Sequence, residues 1–92
     1  MFEDLKKLPE LSSIKDNNNF YEASFNKENI LKLFQELKNS ELFSFDQLID
    51  ITAIDYPSRE KRFELIYIFL SMKKNKRIIL RTSIKENENL NS

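Results

Sequence analysis

Two apolar segments rich in β-branched residues, 62–72 and 77–84, lie four residues apart, and no other feature of the sequence constrains the fold as much. Lys73-Lys74-Asn75-Lys76 is a hairpin-length connection, so the two segments are expected to pair as antiparallel strands. In the first, Phe63, Leu65, Tyr67 and Phe69 share one face while Ile66, Ile68 and Leu70 share the other. Both faces are therefore expected to be covered, as in an inner strand. In the second, Ile78 and Leu80 alternate against Ile79 and Arg81, a less apolar pattern that suits a place nearer an edge. A third strand is read over residues 48–55, Leu48-Ile49-Asp50-Ile51-Thr52-Ala53-Ile54-Asp55, ending at Tyr56-Pro57 because proline cannot donate to a ladder.

Upstream, Ile30, Leu33, Phe34 and Leu37 recur at i, i+3, i+4 and i+7 and predict an amphipathic helix, with Asn26 able to cap its start. Its wet face carries Glu28 and Lys32 at the favourable i, i+4 spacing. Phe2, Leu5 and Leu8 predict a short helix, with acids early, lysines late and a stop at Pro9. The polar stretch Ser12-Ser13 through Asn17-Asn18-Asn19 reads as a loop or tight turn, and Phe20 to Phe25 as a short aromatic-rich strand. The expected architecture is a two-layer α+β domain over residues 1–85, in the order α-β-α-β-β-β, with a mostly antiparallel sheet and helices on one side. Residues 86–92 read as a disordered polar tail.

Composition removes most chemistry. The 92 residues include no Gly, His, Cys or Trp. Zinc and iron–sulfur ligation by this chain, Cys or His nucleophiles, a P-loop and a dinucleotide fingerprint are all excluded. Fifteen basic residues balance fifteen acidic ones, so no global field draws in nucleic acid or anionic lipid. The longest apolar run, residues 65–70, is far short of the roughly 20 residues that a spanning helix needs. The N-terminal MFEDLKKLPEL has the pattern of neither a signal nor a transit peptide. Eleven Lys, ten Asn and ten Ile are residues of AT-rich codons, a bias that suits an organellar or reduced bacterial genome.

Few side chains invite a catalytic reading. Asp50 and Asp55, five apart on a strand, point to opposite faces and do not make an acid/base pair. Lys73, Lys74, Lys76 and Arg77 form a basic cluster near Phe63, Tyr67 and Phe69, the makings of an RNA-stacking sheet, against which stands the plain reading of a soluble hairpin tip. Residues 55–64 mix a Tyr-Pro turn with Arg59, Arg62 and several carboxylates. These groups serve equally well as surface ion pairs or as anchors in a subunit interface.

The run DITAIDYPSREKRFELIYIFLSMKKNKRI closely resembles the core segment of the NuoC-type subunit of respiratory complex I, NADH:ubiquinone oxidoreductase. The positions that carry the likeness are Asp50, Ile51, Thr52, Ala53, Ile54, Asp55, Tyr56, Pro57, Arg59, Arg62, Phe63, Glu64, Ile66, Tyr67, Leu70, Ser71, Asn75 and Arg77, within residues 48–81. The resemblance implies the family's α+β fold and a non-catalytic structural subunit of the hydrophilic peripheral arm. Its neighbours would be the NuoD-type quinone-site subunit and adjacent iron–sulfur subunits. It further implies no cofactor on this chain, with FMN and Fe–S clusters in the neighbours, and neither nucleic-acid binding nor a membrane span. The implied location is the matrix side of the mitochondrial inner membrane, organelle-encoded, or the cytoplasmic face of a bacterial one. Asp55, Tyr56, Pro57, Arg59, Arg62 and Phe63 are the expected partner interface. Family members continue into a region with His, Asp and Arg motifs that has no counterpart here, so that half is lost, encoded as a separate chain or removed, and a split subunit is the favoured expectation. The mass of the mature chain checks this. The alternative is a stand-alone RNA- or protein-binding module.

Overall fold

The computed structural model describes residues 1–58, 60 and 63–84. Among them the order is α1 (Phe2–Lys6), β1 (Leu11–Asp16), β2 (Phe20–Phe25), a 3₁₀ turn (Lys27–Asn29), α2 (Ile30–Asn39), β3 (Gln47–Asp55), β4 (Phe63–Ser71) and β5 (Lys76–Ile84). One sheet runs β1-β2-β5-β4-β3. All neighbours are antiparallel except β2 and β5, which are parallel from Phe20↔Arg77 to Ser24↔Arg81. The expected α+β class, with its mostly antiparallel sheet and both helices on one side, is the observed one.

Three expectations need correction. The stretch read as a loop holds a strand, β1, in which only Leu11 is buried; a polar strand of this kind carries no alternation signal. Its asparagines instead close the β1–β2 hairpin. The amide of Asn17 donates to the Phe20 carbonyl at 3.0 Å, and that of Asn18 to Asp16 Oδ1 at 3.0 Å. Strand β5, placed nearer an edge because of Arg81, is the central strand. Strand β4 is inner, as expected, but covered on one face only: Tyr67 and Phe69 are buried, whereas Ile66, Ile68 and Leu70 stay half-exposed. The predicted tail lies outside the described residues.

The core forms where the helices cover β2, β5 and β4. Leu33 and Leu37 of α2 are fully buried with Ile78 and Leu80 of β5. Phe34 meets Phe69 and Tyr67 edge-on, with ring centroids 4.9 and 5.1 Å apart, geometry that aromatic quadrupoles favour. Phe2 of α1 stacks on Tyr21 of β2 at 5.9 Å. Asn26 Oδ1 accepts from the Glu28 amide at 3.0 Å, the cap that its position suggested. Lys32 does not pair with Glu28 but reaches the buried Glu10 carboxylate at 3.6 Å.

A chain without glycine must make its left-handed turns from other residues. Ser13, Asn18, Ser44 and Asn75 take positive φ, between 50° and 68°. Asn tolerates that region better than most side chains.

Burial pushes the phenols of Tyr21 and Tyr67 above the ordinary tyrosine value, and the Asp16 carboxylate adds to the shift at Tyr21. The unfolded chain then ionises first, so stability is intact below about pH 10 and declines as pH rises through the folded values. An ultraviolet titration of tyrosinate should show two phenols resisting ionisation in the folded chain and none in denaturant.

Candidate functional site

Strand β3 is one edge of the sheet, and no helix among the described residues covers it. Eight of its nine residues are exposed, Ile54 being half-buried, and none joins the core. Leu48, Ile49 and Ile51 are among the most exposed large apolar side chains, with Ile51 at 54%. The register with β4 slips between Leu48 and Asp50, which bulges the strand at Ile49; beyond it the pairing is regular from Asp50↔Ile68 to Asp55↔Phe63. A bulge and two aspartates protect an edge against random pairing, but Ile51 to Ile54 are regularly paired to β4 and largely exposed.

The edge leads directly into the segment singled out from sequence. Asp55 ends β3, exposed; Tyr56 is half-buried, Pro57 exposed, and Phe63, half-buried, opens β4 opposite Asp55. Asp55, Tyr56, Glu60 and Phe63 each make a contact within the chain. Arg59 and Arg62 lie outside the described residues. The fold therefore brings Asp55 and Phe63 side by side at one end of an apolar edge. Asp50 and Asp55, as predicted, face opposite sides of the sheet; Asp50 Oδ2 accepts from the Thr52 hydroxyl at 3.5 Å.

On the face opposite the helices, Arg81 spans three strands. Its Nη1 donates to Glu64 Oε1 of β4 at 3.2 Å and its Nη2 to Glu22 Oε1 of β2 at 3.3 Å. Burial alone would pull the guanidinium down, but the hydrogen bonds and charges of Glu64 and Glu22 carry it above its ordinary value. Arg81 and Glu64 line an open cleft of about 640 Å³ with Ser12, Ser24, Lys27, Glu28 and Ser83. The Arg81 cation is already satisfied by its two glutamates, so it is not free to hold a ligand there.

The RNA-stacking reading loses its rings: Tyr67 and Phe69 lie buried beneath α2. Among the described residues no group of three or more acidic side chains is placed to hold a metal ion. No helix among them is long and apolar enough to cross a membrane.

A family model described as respiratory-chain NADH dehydrogenase, 30 Kd subunit, matches residues 23–92. The chain belongs to this family. The match takes in the five-strand sheet from within β2 onward, well beyond the motif at residues 48–81. Among relatives of this 30 Kd family member, the C-type subunit of the NADH-quinone oxidoreductase of Rickettsia typhi is 44% identical over 63 residues, 68% of this chain and 32% of the relative. That of Ruegeria pomeroyi is 47% identical over 60 residues, 65% of this chain and 30% of the relative. The chain thus spans about a third of the length of the curated relatives it matches. A chain in the structure of the membrane-bound sulfane sulfur reductase, an archaeal respiratory membrane complex, has the same fold, with a TM-score of 0.77 at 23% identity over 92% of this chain and 48% of that one.

Sequence reasoning singled out residues 55–63 and did not single out the exposed edge that leads into them. Leu48, Ile49 and Ile51 read as strand residues whose own identities do not show that their faces are bare. The usable signal was Gln47, Asp50 and Asp55, polar groups on both faces of a single strand, which suit an edge.

Proposed function

We propose that this chain is a non-catalytic structural subunit of the peripheral arm of a complex I-type NADH:quinone oxidoreductase, docked on its neighbours through β3 and the turn that follows it. The carrying observation is a nine-residue edge strand with Leu48, Ile49 and Ile51 exposed, continuous with Asp55, Tyr56, Pro57 and Phe63. Arg59 and Arg62 belong to the same segment of sequence. An exposed apolar edge is a liability for a solitary protein and a template for a partner in an assembly. In this reading flavin and iron–sulfur clusters reside in adjacent subunits, the NuoD-type subunit among the neighbours, and the chain holds none. Family membership and the absence of Cys and His support it. The location follows that of the assembly, on the matrix side in mitochondria or the cytoplasmic side in bacteria.

The test is native electrophoresis of gently solubilised membranes from cells that make the chain, with peptide identification in the NADH-oxidising band. Wild-type chain should co-migrate with that band. Ile51→Lys should leave the melting temperature of the isolated chain within a few degrees, because the site is exposed, yet lower its amount in the band at least fivefold, since a lysine would be desolvated against a partner. Wild-type incorporation of Ile51→Lys, or a chain never found in the band, overturns the proposal.

A further inference from the structure

A second surface, at the opposite end of β4 from the Asp55↔Phe63 pair, has a chemistry of its own. The β4–β5 connection and the residues beside it read Met72-Lys73-Lys74-Asn75-Lys76-Arg77, four cations and no acid. The turn is held in place by the chain itself. The Lys74 amide donates to Oγ of the fully buried Ser71 at 3.1 Å, the Asn75 amide donates to the Met72 carbonyl at 3.3 Å, and Asn75 supplies the left-handed residue. Among the described residues Lys73, Lys74 and Arg77 make no ion pair. Arg77 lies between Leu70 of β4 and Phe20 of β2, neither of which can neutralise it. Lys76 rests over the Tyr21 ring, 5.6 Å from its centroid. Of the acids in the adjoining hairpin, Glu22 is paired with Arg81, and Asp16 accepts from the Asn18 amide and keeps its charge without an ion pair to these cations.

Beside this turn the β1–β2 hairpin leaves a cleft of about 520 Å³, lined by Asn18, Asn19, Asn75, Arg77, Leu70 and Met72 among others. Met72, at 68%, is the most exposed large apolar side chain of the described residues. We propose that this cleft and the basic turn beside it dock an acidic segment of another polypeptide, one with carboxylates flanking an apolar residue. Lys73, Lys74 and Arg77 meet the carboxylates, Leu70 and Met72 take the apolar side chain, and the neutral amides of Asn18, Asn19 and Asn75 suit peptide backbone groups. Charge complementarity selects an anion. The amides and the two apolar side chains, Leu70 and Met72, favour a peptide over RNA, whose bases would need the stacking rings that α2 covers. Arg77 on the wall of a cleft favours an inserted chain over a flat bilayer surface. The site is separate from the β3 edge and stands whether or not that edge docks a respiratory subunit.

The full chain can be titrated against a fluorescent acidic peptide of Glu and Asp with one central Leu, following anisotropy. Binding should saturate, weaken about tenfold or more in K73E/K74E and in Arg77→Gln, and fall steeply with salt. Met72→Ala should weaken the Leu peptide several-fold but leave a Leu→Ser version of it unchanged, a difference that charge alone does not produce. Circular dichroism identifies any variant that fails to fold, and a folded Arg77→Gln with undiminished binding overturns the proposal. So does the absence of saturable binding, or tighter binding of an oligothymidine or of phosphatidylserine vesicles than of the peptide.

Discussion

Leu80→Ala should destabilise the chain by about 2–5 kcal/mol, the cost of removing a buried leucine from a site that does not collapse. Leu80 sits at the middle of the central strand, fully buried, with Ala23 of β2 and Tyr67 of β4 as its ladder neighbours. Ala23 is too small to fill the gap, and Tyr67 is pinned by Phe34 and Phe25. Small domains hold only about 5–15 kcal/mol in total, so this single change takes a large share. The same chemical change at Leu31, which is 52% exposed on α2, should cost less than about 1 kcal/mol. Urea unfolding with an unchanged m-value measures both. Equal effects at the two leucines would mean that α2 does not cover β5 as described.

Arg81→Met should cost about 1–3 kcal/mol, because it leaves Glu22 and Glu64 on either side of β5 with no cation between them. Each carboxylate lies on a different strand, so one guanidinium joins β2, β5 and β4. The face is partly open to water, which keeps the penalty below that of a dry triad. Adding Glu22→Gln and Glu64→Gln to Arg81→Met should restore much of the loss by removing the repulsion. About 1 M salt should shrink the difference between Arg81→Met and wild type. A melting temperature for Arg81→Met equal to that of wild type at low salt would remove the structural role assigned to this residue.

Elements built from local patterns were legible in the sequence. The β4–β5 hairpin follows from two apolar runs and a short basic connection, and α2 from four apolar residues at helical spacing. The Asn26 cap and the Asp50–Pro57 motif follow from residue type and order. What stayed hidden depends on non-local partners. Arg81 suggested an edge because its two glutamates are distant in sequence, and nothing local reveals that they converge on it. Strand β1 was hidden because a strand whose partners supply most of its order needs no alternation of its own. Alternation in β3 defined two faces but could not tell that α2 stops short of them, so the bare edge had to be seen in three dimensions.

The parallel pairing of β2 with β5 bears on how the protein is made. Residues 20–37 leave the ribosome before β4 and β5, carrying Tyr21, Ala23 and Phe25 along with the apolar stripe of α2, yet the surfaces that help to bury them, on β4 and β5, are translated later. Until then the nascent chain holds a two-strand hairpin and a helix with sticky inner faces, a species that small hairpins cannot stabilise alone. Chaperone contact should therefore concentrate on residues 20–37 and end when Leu80 emerges and slots between its neighbours.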